Sequence, residues 1–429
     1  MALIDNRKHR LILLPALYVA QGMPWGFMTI ALISYLAERG IGDTQAGKLV
    51  GLALLPWTFK IVWAPLIDTV TIRSMGRRRS WIIGAEFLMA VSLLGFLTMG
   101  DLTGNLRLLG WMFFIHNCFA SLQDVSTDAL ALDIVPPNEQ GRTNGLMWGS
   151  KMVGKAIGGA GLAIVIDAWG LTAAVFVQLA VLLLIMLFPL LMVEKPGDRR
   201  LPWSRPVGSD DSRQTTGENF RSFDKVVVDL LRSFSLRTTA VFLIFGVIHV
   251  TAWGVVEVVT KTLYTQQLKW SFVEVSQVAG LAVFVEMLGA LGGGYLADRL
   301  GHRKVIATGL GGYGLLAIVF AIFPENWSTS WFAAGYLFLN PGILAFGIVG
   351  FFAMAMRLSW TKSAATMFTI YLTTANIGHV AGNWLVGPLR DEMGFSYEQT
   401  FLFAGLIAIL PLLLLFLVKS KDVDLVRDT

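Results

Sequence analysis

"LILLPALYVAQGMPWGFMTIALISYLA", Leu11–Ala37, runs without a single Asp, Glu, Lys or Arg. A helix needs about 20 predominantly apolar residues to cross the hydrocarbon core of a bilayer. This run is long enough, and it is the first of a series. Ala168–Val193, Val305–Pro324, Asn326–Met356, Ser363–Leu389 and Gln399–Val418 are equally free of charge. Leu49–Ile67, Trp81–Gly100, Leu108–Val135, Thr143–Ile166, Thr238–Thr260 and Val275–Ala297 are apolar but interrupted by charge. Together they predict twelve transmembrane helices, an all-α membrane protein.

The composition agrees. The chain of 429 residues is 55% hydrophobic and 15% charged, with a mean hydropathy of +0.63. Soluble domains carry about 25% charged residues. The first run is too long for the apolar core of a signal peptide and lacks a small-residue cleavage site, so it is expected to remain as the first span. The single cysteine, Cys118, excludes an internal disulfide.

The formal net charge of +5 is a topology signal. With alternating spans, most of the Lys and Arg fall into the N-terminal tail, the even-numbered connections and the C-terminus. That bias predicts both termini in the cytoplasm. The cations are scattered among short loops, which argues against nucleic acid as a partner.

One long polar insert, Glu194–Arg237, divides the chain into six spans plus six. The expected division is an N-terminal six-helix bundle (1–193), a cytoplasmic linker (194–237) and a C-terminal six-helix bundle (238–429). Within the linker, Phe220, Phe223, Val227, Leu230 and Phe234 recur at three- and four-residue steps, the pattern of an amphipathic helix on the membrane surface. The halves repeat: Asp68 and Asp298 each close a second span and are followed by basic residues. Two pseudo-symmetric six-span halves are a transporter architecture. "GLGGYG" (Gly309–Gly314) imitates a dinucleotide-binding loop, but it lies in an apolar run with no strand before it. "GRRRS" sits between two spans, where its cations anchor the loop to anionic headgroups.

Charges inside spans are costly and mark functional sites by default. On the fourth span Asn117, Ser121, Asp124 and Asp128 are spaced four, three and four, one face of a helix. On the fifth, Asn144, Trp148, Lys151 and Lys155 repeat the same steps. Asp124 and Asp128 are therefore expected to meet Lys151 and Lys155, either as a substrate and proton-coupling group or as an ion-pair cluster locking two helices. Lys60 and Glu86 are expected to pair between spans two and three. Cavity-lining candidates are Tyr18, Gln21 and Trp25 on the first span, and Asn117, Ser121, Gln123 and Trp148 beside the charged stripe. In the second half they are His249, Trp253, Glu257, Glu286, Asn376, His379 and Asn383. Asp133, just before Pro136–Pro137, reads as a gate or loop residue. The glycines Gly158, Gly159, Gly161, Gly289 and Gly292–Gly294 permit close helix approach. No Cys/His set has metal-site spacing, and no nucleophile–base pair suggests an enzyme; neither metal, catalytic residue nor cofactor is expected.

"GYLADRLGHRK" (Gly294–Lys304) resembles the signature loop of the major facilitator superfamily. The resemblance implies that Asp298, Arg299, Arg303 and Lys304 form a cytoplasmic charge latch, with Asp68, Arg77 and Arg78 as the first-half counterpart across an insertion. "KIVWAPLIDTVTIRSMGRRRSW" (Lys60–Trp81), "LYVAQGMPWGF" (Leu17–Phe27) and "QDVSTDALALDIVPPNEQGRTNG" (Gln123–Gly145) resemble a branch of that family. The branch comprises bacterial muropeptide permeases, acetyl-coenzyme A transporters and siderophore permeases of bacterial inner membranes. Asp133 and Arg142 of the last stretch join the gate set. The branch resemblance is strong over the first 160 residues and fades after Glu194.

The expectation is a secondary transporter working by alternating access, and proton symport of a polar or anionic small molecule. Protonation of a carboxylate would free a lysine and let the loaded carrier reorient. Import follows from the resemblance. A drug or metabolite exporter and a non-transporting membrane sensor or scaffold are the alternatives. The expected partners are the substrate, protons and the lipid bilayer, with the chain a monomer.

Overall fold

The computed structural model describes residues 2–70, 72–98, 104–136, 139–205, 207, 234, 236–359 and 364–418. Among these no β-strand occurs; one isolated bridge joins Ala2 and Val193. The described residues form twelve helical rods. They are α1 (Arg7–Glu38), α2 (43–69), α3 (Arg79–Phe96), α4 (Leu106–Ile134), α5 (140–169), α6 (171–191), α7 (Arg237–Gln267), α8 (Phe272–Leu300), α9 (His302–Ile322), α10 (Ser330–Leu358), α11 (364–392) and α12 (Tyr397–Phe416). Eight stretches meet strict length and hydropathy requirements for a span; one of them, Gly145–Leu191, holds both α5 and α6. These are separated at Gly170, whose φ of 81° only glycine adopts without cost.

Local chemistry sets the ends and the bends. Ser271 caps α8 and Ser396 caps α12, each answered three residues on by Glu274 or Gln399. Pro24 precedes a π-helical turn, Phe27–Leu32, and α5 carries a matching one at Ile157–Gly161; such turns mark places where a helix is re-aimed. Large apolar side chains are turned outward, among them Phe416 (78% exposed), Trp331 (76%) and Trp169 (73%). In water these would be a liability; toward lipid tails they are solvated.

By packing, the chain forms two compact units: Met1–Tyr35 with Phe59–Gly217, and Leu36–Thr58 with Glu218–Thr429. In the first, α1 and α5 touch backbone to backbone. A Cβ on Gly22 would stand 2.0 Å from the Lys151 carbonyl oxygen, and one on Gly158 would stand 1.9 Å from that of Met23. Small residues are what allow such contact between helices in a bilayer. In the second, Gly289 meets the Gly342 carbonyl in the same way, so α8 and α10 are equally close. The nucleotide-loop lookalike is accounted for here too: Gly309 packs on Gly347 of α10 and Gly314 on Gly405 of α12.

The second unit also holds the first piece of α2. Asp43 accepts hydrogen bonds from Thr262 of α7 and, at 2.8 Å, from Arg390 Nε of α11. Gln266 Nε2 donates to the carbonyls of Ala37 (3.0 Å) and Ile41 (2.7 Å), which ties the α1–α2 connection to the end of α7. The amphipathic helix expected over residues 220–234 lies outside the described residues except for Phe234. The Phe234 ring sits 5.6 Å from that of Tyr371.

Replacing Gly22 or Gly158 by leucine should cost about 1–3 kcal/mol or more of stability by overpacking the α1–α5 seam. Gly149→Ala on α5, where a Cβ meets nothing within 4 Å, is expected to be neutral. Thermal unfolding followed by tryptophan emission in detergent distinguishes them; equal midpoints for all three would refute the seam.

Candidate functional site

The polar stripe of α4 faces α1, α5 and the second piece of α2 inside the first unit. Asp124 is 2% exposed. Its carboxylate is paired with Lys60 of α2 and, at 3.3 Å, with Lys151 of α5. Removing a carboxylate from water costs several kcal/mol, and two ammoniums offset that cost here. Asp128, one turn further, is held differently: Tyr18 of α1 donates its phenolic hydrogen to Oδ1.

The lysines stand on aromatic faces. Lys151 Nζ lies 5.6 Å from the Tyr18 ring centroid, 5.9 Å from Trp25 and 5.8 Å from Trp148. Lys155 Nζ lies 4.4 Å above Trp25. Aromatic faces within about 6 Å attract cations through the ring quadrupole. The π-turns of α1 and α5 begin just after Trp25 and Lys155.

Two expectations are revised. Asp128 is bonded to Tyr18 where a lysine was expected. Lys60 pairs with Asp124, so the Lys60–Glu86 pair does not form. Glu86 accepts instead from Gln123 at 3.3 Å, and Gln123 accepts from Gln21 at 2.7 Å. The cause is direction about the helix axis: Gln123 and Asp124 point about 100° apart on α4, one toward α3 and one toward α2. Lys60 was visible as one of three lysines inside spans, but its partner was not. Asn117 donates to Met28 Sδ at 3.4 Å and Ser121 is fully buried beside it. Trp148 is 41% exposed. The side chains of Asn144 and Arg142 lie outside the described residues.

In the second unit Trp253, Glu257 and His379 converge. His379 Nε2 is 2.8 Å from Glu257 Oε2, and the imidazole stacks on Trp253 at 4.0 Å. Asn383 donates to the His379 carbonyl at 2.9 Å. Asn376 lies 3.5 Å from the Trp57 carbonyl, and Glu286 is half-buried on α8. His249 does not join them. It is 2% exposed, sandwiched by Phe245 and Phe351 and bonded to the Phe245 carbonyl at 2.8 Å, a packed core histidine.

At the Arg77–Arg79 end of α3 the residues expected at a gate meet a carboxylate that sequence reasoning missed. Glu194 accepts the backbone N–H groups of Arg77 (2.8 Å), Arg78 (2.7 Å) and Arg79 (2.5 Å), the open amides at the start of α3. A Cβ on Gly76 would fall 2.5 Å from the Glu194 carboxyl carbon. Arg78 pairs with Asp133 at 3.0 Å. Arg79 is fully buried among the carbonyls of Met75, Pro189, Arg199 and Arg200. Burial raises the Glu194 carboxyl above its ordinary range, against the opposing pull of the three amides. Arg299 lies over the Tyr295 ring at 4.3 Å, and Arg303 and Lys304 are exposed. The side chains of Asp68 and Asp298 lie outside the described residues. No group of three His, Cys, Asp or Glu that could hold a metal occurs among the described residues.

Twelve helical rods, with eight stretches long and apolar enough to cross a bilayer and charges buried between them, are the build of a polytopic membrane transporter. The sequence profile of the Major Facilitator Superfamily matches residues 16–383 and 242–427, and the chain belongs to that family. It is 26% identical to the anhydromuropeptide permease of Escherichia coli strain K12, over 95% of this chain and 79% of the permease. It is 24% identical to the putative transporter AmpG 1 of Rickettsia bellii, over 90% of this chain and 92% of that one. The crystal structure of the nucleoside transporter NupG superposes with a TM-score of 0.70 at 13% identity, covering 97% of this chain and 99% of NupG. The protein is therefore an integral, multi-pass secondary transporter of small molecules.

Two outcomes follow from the charges. Asp124→Asn leaves two close ammoniums without a counter-ion and should cost about 3–5 kcal/mol, whereas Lys60→Met keeps the Asp124–Lys151 pair and should cost less. Thermal unfolding in detergent ranks them; the reverse order would refute the three-way pairing. The raised Glu194 carboxyl means the folded protein binds its proton more tightly than the unfolded chain, so this group's stabilisation is lost as pH rises from the ordinary carboxylate range. Glu194→Gln should flatten that part of the stability-versus-pH curve, and an unchanged slope would contradict it.

Proposed function

We propose that the protein is a proton-coupled importer of a polar, anionic small molecule of the muropeptide type. It would sit in a bacterial inner membrane as a monomer, with both termini cytoplasmic. Its bundles, 1–193 and 238–429, joined by the linker 194–237, rock about the buried charges, and the residues Asp133, Arg78 and Glu194 gather at the cytoplasmic end. The observation that carries this reading is Asp124 held between Lys60 and Lys151 with a ring of Tyr18, Trp25 and Trp148 around the second lysine.

An anhydromuropeptide joins sugar to a short peptide, so it presents carboxylates, amides and hydroxyls. A substrate carboxylate entering beside Lys60 and Lys151 competes with Asp124 for the same ammoniums. Once the anion holds the ammoniums, Asp124 has lost the charges that keep it ionised, and it takes up a proton from water. When the anion leaves on the far side, the lysines reclaim Asp124 and its proton departs to water. Carrier, proton and anion thus move together, and the empty carrier returns with its ion pairs intact. The aromatic ring suits the apolar faces of a sugar. The identity with the Escherichia coli permease across nearly the whole chain supports the muropeptide class over siderophores or acyl-coenzyme A.

The test is uptake of a labelled anhydromuropeptide by proteoliposomes under an inside-alkaline gradient. Accumulation above equilibrium is expected, together with its collapse by a protonophore and a fall of about 100-fold or more in Asp124→Asn. Uptake that is unchanged after collapse of the gradient would remove the coupling. No flux at all, with Asp124→Asn folded and indifferent, would favour a sensor or scaffold.

A further inference from the structure

The chain that follows α6, residues 194–205, is folded against the first unit. Glu194 caps the start of α3. Arg199 donates its N–H to the Ser74 carbonyl at 2.7 Å. The buried Arg79 guanidinium bonds to the carbonyls of Arg199 (3.0 Å) and Arg200 (2.5 Å). Gly197, with a φ of 88°, donates to the Val207 carbonyl at 2.8 Å, and Val207 donates back to that of Asp198 at 2.9 Å, which closes the loop. The N-terminus lies against the same place. The N–H groups of Leu3 and Ile4 donate to the carbonyls of Val193 (2.8 Å) and Glu194 (3.1 Å).

This fixed loop turns an indole outward among cations. Trp203 is 80% exposed, more than any other large hydrophobic side chain among the described residues. Lys195, Arg200 and Arg205 are exposed, and none of them makes an ion pair among the described residues. Of the loop's acids, Glu194 is buried and Asp198 is half-buried, accepting the Lys195 N–H at 2.9 Å. The adjoining N-terminal residues add exposed Ile4, one exposed acid, Asp5, and one exposed cation, Lys8. The basic triplet before α3, expected to face headgroups, is differently employed: Arg78 pairs with Asp133, and Arg79 is fully buried. The exposed positive charge at this end of α6 therefore comes from the loop.

The flank of α6 that leads to the loop is apolar and turned outward, with Leu187 46% and Leu191 59% exposed. Charged residues begin three positions further on, at Glu194. The loop thus stands where the chain leaves the hydrocarbon. At that level an indole places its ring against acyl chains and its N–H toward water. Each Lys or Arg near an anionic bilayer surface strengthens attachment about fivefold.

We propose that Lys195, Arg200, Trp203 and Arg205 form a docking surface for the headgroups of anionic phospholipids, with the indole seated in the interface and the cations on the phosphodiesters. The inference concerns the lipid partner and depends neither on the substrate nor on proton coupling. Because the loop is bonded to the start of α3 and the end of α6, headgroup contact pins both to the membrane surface.

The test uses the full chain, carrying 5-fluorotryptophan, in nanodiscs. The Trp203 fluorine signal is assigned by its loss in Trp203→Phe. A soluble gadolinium chelate reports contact with water, and a lipid with a nitroxide on its headgroup reports contact with the bilayer surface. In phosphatidylglycerol discs the nitroxide should broaden the Trp203 signal. The chelate's effect there should be about fivefold or more weaker than in phosphatidylcholine discs. Combined Lys195→Gln, Arg200→Gln and Arg205→Gln should abolish that lipid dependence, the other tryptophan signals staying in place as the check on folding. If the triple variant does not fold, Arg200→Gln and Arg205→Gln are tested singly, each weakening the protection about twofold or more. Equal access of the chelate to Trp203 in both lipids would leave the indole in water, as in a protein-docking loop, and overturn the proposal. So would protection unchanged in the charge variants, or protection produced in phosphatidylcholine discs by inorganic phosphate, which would mark a site for soluble anions.

Discussion

A carboxylate in oil must find cations, and Asp124 finds two. Lys60 and Lys151 come from different helices, so the pairing fixes α2, α4 and α5 against one another at one level of the first unit. Such a cluster gives little net stability, because desolvation offsets the attraction. In the proposed cycle its value lies in being exchangeable, the same ammoniums serving an incoming anion. A well-packed apolar seam at this place would be as stable.

The scaffold around the charges is made stiff by the opposite means. Where α1 meets α5, and α8 meets α10, glycines remove the side chains and let backbones touch. In a bilayer, helices gain nothing by hiding apolar surface from lipid, so close van der Waals contact does the holding. The two π-turns interrupt this regularity beside Trp25 and Lys155. Close packing and local irregularity thus coincide with the charged centre, as expected of a site whose side chains must be aimed.

Glu194 provides a similar economy at the end of α3. One carboxylate satisfies three open amides, while Arg79 fills the space beside it with its guanidinium bonded to carbonyls. The residues following α6 are thereby fastened to the α2–α3 connection. The Arg78–Asp133 pair ties α4 to the same place.

The spans, their number and the membrane location were legible in the sequence, because hydrocarbon thickness imposes one length and one composition on every crossing helix. The stripe Asn117, Ser121, Asp124, Asp128 was legible too, because helical spacing alone puts those residues on one face. Which cation each acid would take was not. Lys60 could be seen as buried, yet its choice of Asp124 over Glu86 depends on the rotation of α4 between its neighbours. His249 and His379 read alike as polar residues in apolar helices. Only packing makes one a core residue between two phenylalanines and the other the partner of Glu257. Glu194 looked like the first residue of a loop, since a hydrogen bond to residues more than a hundred positions earlier leaves no periodic trace. Sequence determines which residues must avoid lipid; tertiary structure decides what they meet when they do, because partner choice is set by helix rotation and contact distance.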